Sequence, residues 1–165
     1  MRLSAFAAAL GAVLLSLTPR ASLATDAVPT FGSESWQEIT GAHKGQHVIV
    51  HFWGLTCSNC MAELKDWGQF AREHPGAAIV LVNWDLHAAE PDRIAAALAK
   101  AGLGSVQSLA LSNGFEAKLR FGIDRNWMGE LPYTRMIAGD GSATAFSGSA
   151  DFQKLQEWLT TSTRK

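Results

Sequence analysis

The sequence predicts an α/β domain: a central mixed β-sheet flanked by helices, in which a βαβ crossover precedes a ββα unit and a short strand and helix are inserted between them. Three features carry this prediction. Two compact apolar runs, His47–Trp53 (HVIVHFW) and Ala77–Trp84 (AAIVLVNW), have the β-branched and aromatic content of buried strands. Between them apolar residues recur every three or four positions, so a helix joins the strands and their pairing is parallel. Near the C-terminus, two strand-like segments flank Gly139-Asp140-Gly141-Ser142, a turn-forming stretch that makes a hairpin.

The elements follow in order. Thr25–Gly45 is polar, with one short strand or turn expected near Trp36–Ile39. After the first buried strand, helical spacing begins at Cys57, with Met61, Leu64, Trp67 and Ala71 on one side and Lys65, Asp66, Arg72 and Glu73 on the other. Pro75-Gly76 stops that helix. Past the second strand, Pro91 suits a first helical turn and Asp92 suits its positive end. Ile94, Ala97, Leu98 and Ala101 form the apolar face, which Gly102 closes. Ser105–Leu111 is a weaker strand, and Phe115–Phe121 a short helix ended by Gly122. The hairpin strands are Tyr133–Ala138 and Ala143–Ser147, and Asp151 caps a last helix running through Trp158 and Leu159.

The first 24 residues read as an export signal rather than as part of the fold. Met1-Arg2 is a basic start, Ala5–Leu17 is an uncharged apolar run, and Ser22-Leu23-Ala24 sets small residues ahead of a cut before Thr25. The run is shorter than the ~20 residues a spanning helix needs, so no stable membrane insertion is expected once the signal is removed. Residues 25–165 are then one domain, long enough to build a core without staples. They carry 12 basic and 15 acidic residues and no basic stripe, which argues against a nucleic-acid partner.

The two cysteines are spaced Cys57-Ser58-Asn59-Cys60. A structural disulfide in an exported protein gains from closing a long loop, and a bridge this short gains little, so reactivity explains the pair better than architecture. Its place sharpens the reading, since a strand ends just before Cys57 and a helix begins there. Unpaired N–H groups and the positive end of the helix favour a thiolate on Cys57. Cys60, one turn further in, is more shielded and is placed to resolve a mixed disulfide. A zinc site would need four ligands, so two of the five histidines would have to join the sulfurs; His47 and His51 share a face through strand spacing alone.

The segment from His47 to Cys60 resembles the strand–CxxC segment of thioredoxins, and Glu63, three residues after the second cysteine, is similar to the motif of the exported TlpA/ResA-like branch. Leu131-Pro132-Tyr133-Thr134 resembles that family's cis-proline loop, and Trp127–Pro132 its approach. The resemblance covers roughly Trp36–Leu159. It implies a thioredoxin fold, a cis bond before Pro132, and a Leu131 backbone able to pair with an extended substrate. It further implies that Trp53, Thr56, Leu131 and Pro132 are the substrate-contacting residues, and that His51 or Glu63 handles the proton of Cys60. His51 stands where thioredoxins keep a buried acid, and Thr56 where a tryptophan often precedes the first cysteine. Asn59 stands in place of the common proline, and its N–H is expected to donate toward the Cys57 sulfur.

The function expected is that of a periplasmic protein-disulfide oxidoreductase with no cofactor beyond its redox-active disulfide. As in TlpA/ResA-like proteins, this is most simply a reductase of specific protein disulfides, of the cytochrome c maturation or copper-centre assembly type. The alternatives are a thiol oxidase or isomerase and, from another class, a copper metallochaperone. Expected partners are protein dithiols or disulfides and an upstream electron donor or acceptor, met by a monomer.

Overall fold

A computed structural model describes residues 28–86, 91–112 and 116–162. The expected export signal, 1–24, lies outside them. The chain order is β1 (Thr30–Phe31), α1 (Ser35–Ala42), β2 (Val48–Trp53), α2 (Ser58–Glu73), β3 (Ala78–Asn83), α3 (Pro91–Lys100), β4 (Gln107–Leu111), α4 (Glu116–Ile123), β5 (Tyr133–Ile137), β6 (Ala143–Ser147) and α5 (Phe152–Ser162). The strands form one sheet in the order β1-β4-β3-β2-β5-β6. β1, β4, β3 and β2 are parallel, while β5 and β6 run antiparallel beyond β2. This is the mixed sheet and the βαβ-then-ββα order that the sequence predicts.

The direction in which the chain crosses the sheet decides which face each helix covers. From β1 to β2 it travels one way across the sheet; from β2 through β3 to β4 it steps back. Right-handed crossovers therefore put α1 on one face and α2 and α3 on the other. The two cores agree with this. Ile49, Trp53, Ile79 and Leu81 pack with Cys60, Leu64, Trp67 and Phe70 of α2, Ile94 and Leu98 of α3, and Leu155 of α5. Val48, Val50, Phe52, Val80 and Val82 pack on the other face with Ile39 of α1 and Ile123 of α4, among the rings of Phe31, Trp84, Trp127 and Tyr133. Alternate residues of β2 and β3 thus enter opposite cores, and all six residues of β2 are buried.

Several local expectations change. The segment around Trp36–Ile39 is a helix, not a strand or turn, because burying Ile39 and Ser35 under the sheet outweighs a poor intrinsic helix propensity. On α2 the buried stripe is Cys60, Glu63, Leu64, Trp67, Gly68 and Phe70, whereas Met61 is 40% exposed. The stripe is rotated from the predicted one because Cys60 and Glu63 both face inward. α4 runs through Gly122 to Ile123, whose side chain is buried. The predicted stop and cap elsewhere are present: Gly102 has φ +77° after α3, and Asp151 Oδ1 accepts the Lys154 N–H at 3.1 Å at the start of α5.

Candidate redox-active site

Trp53 ends β2 against Asn83 at the end of β3, and the two chains leave the sheet side by side; the Trp84 N–H still donates to the Trp53 carbonyl at 2.7 Å. The loop from Gly54 to Thr56 then turns into α2, with Cys57 at the N-cap in extended backbone conformation. Cys57 and Cys60 are joined by a disulfide, S–S 2.08 Å. Cys57 is half-buried and Cys60 fully buried. The Cys57 sulfur takes the place of a capping oxygen and accepts the Cys60 N–H at 3.1 Å. The donor is therefore the N–H of Cys60, three residues ahead of the cap, rather than that of Asn59, two ahead. A reduced Cys57 keeps this donor and the positive end of a 16-residue helix, both of which favour its thiolate.

Asp85, just beyond β3, fastens the loop that presents Cys57. Its Oδ2 accepts the Leu55 N–H at 2.7 Å and the Asn83 side-chain amide at 2.9 Å. Its Oδ1 accepts the Thr56 hydroxyl at 2.8 Å and, more weakly, the Thr56 N–H at 3.4 Å. Burial alone pushes this carboxyl upward, but the bonds from Asn83, Leu55 and Thr56 outweigh it and hold the group below the usual carboxylate range. Sequence reasoning missed Asp85. Its partners lie 29 and 30 residues upstream, and only the parallel pairing of β2 and β3 brings them together.

The structure brings His51 and Glu63 together. His51 projects from β2, fully buried, and its Nδ1 lies 2.9 Å from the Thr134 hydroxyl on β5. Its Nε2 approaches Glu63 Oε1 to 3.3 Å, out of line for a hydrogen bond. The Trp67 ring lies 4.3 Å from the imidazole and donates its N–H to Glu63 Oε1 at 3.2 Å. Glu63 Oε2 accepts the Ala150 N–H at 2.9 Å. Only 6% exposed, Glu63 is a buried acid and not a solvated surface group. Burial raises its pKa, against the opposing bonds from Ala150, Trp67 and Ser149. Burial pushes the His51 pKa down to about 3, so the imidazole is neutral.

Leu131-Pro132 is a cis peptide. Leu131 is half-buried and, with Thr56, Trp84, Asp85, Leu86 and Gly129, lines a cavity of about 240 Å³. Pro132 is buried and its carbonyl accepts the Gly148 N–H at 2.8 Å. The approach is rigid: Trp127 stacks on Tyr133 at 4.5 Å and donates to the Glu130 carbonyl at 2.9 Å. Thr56 is exposed, but Trp53 is not available to a substrate. It is fully buried in the core under α2, because it shares a strand face with Ile49 and His51. That expectation is corrected.

No protein-family model matches the chain. Over 50 residues it is 36% identical to sporulation thiol-disulfide oxidoreductase A of Bacillus subtilis, a match that spans 30% of this chain and 30% of that protein. Among solved structures it is similar to a secreted thiol-disulfide isomerase from Corynebacterium glutamicum, with TM-score 0.62 and 17% identity over 76% of this chain and 75% of that one. It is also similar to a thioredoxin family thiol:disulfide interchange protein from Chlorobium tepidum, with TM-score 0.57 and 13% identity over 74% and 83% of the two chains. At these identities the likeness is one of fold, and the fold is that of thioredoxin.

Proposed function

We propose that this chain is a thiol–disulfide oxidoreductase that cycles Cys57 and Cys60 between dithiol and disulfide. The observation that carries the reading is the asymmetry of the pair: one sulfur is open to a partner at a helix N-cap, the other sealed in the core. In the reducing direction, the Cys57 thiolate attacks one sulfur of a substrate disulfide and the other substrate sulfur leaves as a thiolate. The Cys60 thiol then gives up its proton and attacks the Cys57 sulfur, which releases the second substrate thiolate. Two electrons pass to the substrate and the protein is left as the disulfide. Glu63, one helical turn beyond Cys60, is the acceptor for that proton, with His51 beside it.

At the finer level we read the protein as an exported reductase of particular protein disulfides, of the cytochrome or copper-centre assembly type. The apolar run near the N-terminus and the secreted C. glutamicum protein of similar structure support export. Leu131 at the rim of the cavity supports an extended segment as the substrate form.

The test is exchange with a disulfide-bonded peptide, followed by acid quench and alkylation. Cys57→Ser abolishes exchange, whereas Cys60→Ser accumulates a one-to-one mixed disulfide with the peptide through Cys57. Exchange that survives Cys57→Ser removes the proposal. Acid-trapping the protein in cells tests direction: a reduced pool supports the reductase and an oxidised pool an oxidase.

A further inference from the structure

We propose that Asp85 is the positioning residue that sets the reducing strength of Cys57. Its carboxylate fastens the Leu55-Thr56 turn that leads into Cys57, and it fixes a negative charge against the residue directly before the sulfur's own. The inference rests on the oxidoreductase reading above.

The geometry leaves little freedom. Asp85 is only 8% exposed, and its two oxygens are occupied by two backbone N–H groups, a hydroxyl and an amide, all donors. Its contact with the turn is so close that a Cβ on Gly54 would lie 2.7 Å from Oδ1 and 3.3 Å from a methyl of Leu131. Thr56, which the carboxylate holds by both hydroxyl and N–H, is the residue directly before Cys57. Four donors around one carboxyl stabilise its charged form, so Asp85 is an anion wherever Cys57 titrates.

A thiolate on Cys57 therefore meets two opposed influences. The helix N-terminus and the Cys60 N–H favour it. Asp85, clamped to the residue next to Cys57, disfavours it through its negative charge, since a nearby like charge raises a thiol pKa. Three other described acids on neighbouring elements bond to groups outside the Leu55-Thr56 turn. Glu63 on α2 is held by Trp67 and Ala150. Glu116 on α4 is held by Arg120 and Trp84, and Glu130 before β5 by Ser147 and the Met128 N–H. Destabilising the thiolate destabilises the dithiol relative to the disulfide, and a less stable dithiol is the better reductant. Asp85 thus tilts the pair toward giving electrons away.

The test compares Asp85→Asn with two variants that keep the charge, Asp85→Glu and Thr56→Val, the second of which removes one hydrogen bond of the clamp. Two quantities are read: the pH profile of Cys57 alkylation after reduction, and the dithiol-to-disulfide ratio in a dithiothreitol buffer set to the wild-type midpoint. Asp85→Asn moves the alkylation inflection down by about one pH unit. Measured at a pH above both inflections, it also raises the dithiol-to-disulfide ratio about tenfold, equivalent to ~30 mV. Thr56→Val stays near wild type in both, and Asp85→Glu, which keeps the charge on a longer side chain, moves both less than Asp85→Asn. Should Asp85→Asn not fold, Asp85→Ser removes the same charge and takes its place. Unchanged profile and ratio in the charge-removing variant overturn the inference, and so does a Thr56→Val shift as large, which would make the effect one of loop geometry. Absence of any exchange in the wild type removes the oxidoreductase reading instead.

Discussion

Two buried ionisable side chains in contact, His51 and Glu63, give the protein opposite pH slopes at one place. The His51 pKa falls from 6.5 to about 3 on folding, so the stability tied to its neutral form is present above pH 6.5 and is lost as pH falls through the range below it. Glu63 has a raised pKa, so its contribution is complete below about pH 4.5 and is lost as pH rises through the folded value. We expect urea unfolding of wild-type protein to show stability falling as pH drops below 6.5 through His51, partly offset by Glu63 gaining its proton over the same range. His51→Gln flattens that acid limb, and Glu63→Gln removes the decline on the other side. A His51→Gln protein with the wild-type acid limb would assign the loss to other groups. The sequence names both residues but not their meeting. They lie on different elements, and only the placing of α2 over β2 makes a strand histidine the neighbour of a helix glutamate. Trp53 shows the complementary error: a family position suggests contact with substrate, while plain strand alternation from Ile49 and His51 puts it inside.

At the scale of elements, the helix that carries the cysteines is seated by an absence. A Cβ on Gly68 would stand 1.8 Å from the Ala101 carbonyl oxygen, a backbone atom that cannot swing away. α2 and the chain leaving α3 therefore touch directly. Gly68→Ala forces them apart and should cost at least the 1–3 kcal/mol typical of overpacking, read as a lower urea midpoint. An unchanged midpoint would show that α2 can slide. The buried strands are legible from sequence because their apolar runs are short and rich in β-branched and aromatic residues. α1 is not. Ser-Trp-Gln-Glu-Ile-Thr-Gly-Ala offers few good helix formers and only Trp36 and Ile39 as large apolar side chains, so its helicity is decided by what it covers. Asp85 is hidden for a related reason: an acidic residue after a strand has no local signature until the neighbouring strand end supplies its donors.

For the whole molecule, the sheet separates chemistry from ballast. The cysteines, His51 and Glu63 lie with α2, while the opposite core is a lattice of rings. Phe52 lies 4.8 Å from Trp127 and 5.4 Å from Trp84, and Phe31 reaches Trp84 at 5.6 Å. Phe31 is fully buried although β1 is only two residues long, so this side chain anchors an edge strand that backbone pairing alone would hold weakly. Phe31→Ala is expected to cost about 3–5 kcal/mol of stability, measured by thermal or urea unfolding. The alkylation profile of Cys57 in the folded fraction stays as it was. A profile that moves with Phe31 would mean that the two faces are mechanically linked through the sheet.

The bond from the Ala150 N–H to Glu63 spans 87 positions of chain. The carboxylate one helical turn beyond Cys60 is therefore held by a segment far along the chain from it, just ahead of α5. A nascent polypeptide can pair β2 with β3 and cap α2 well before that segment exists, but its acid remains untethered. A product ending before residue 150 would carry both thiols without the tie that holds Glu63 in place.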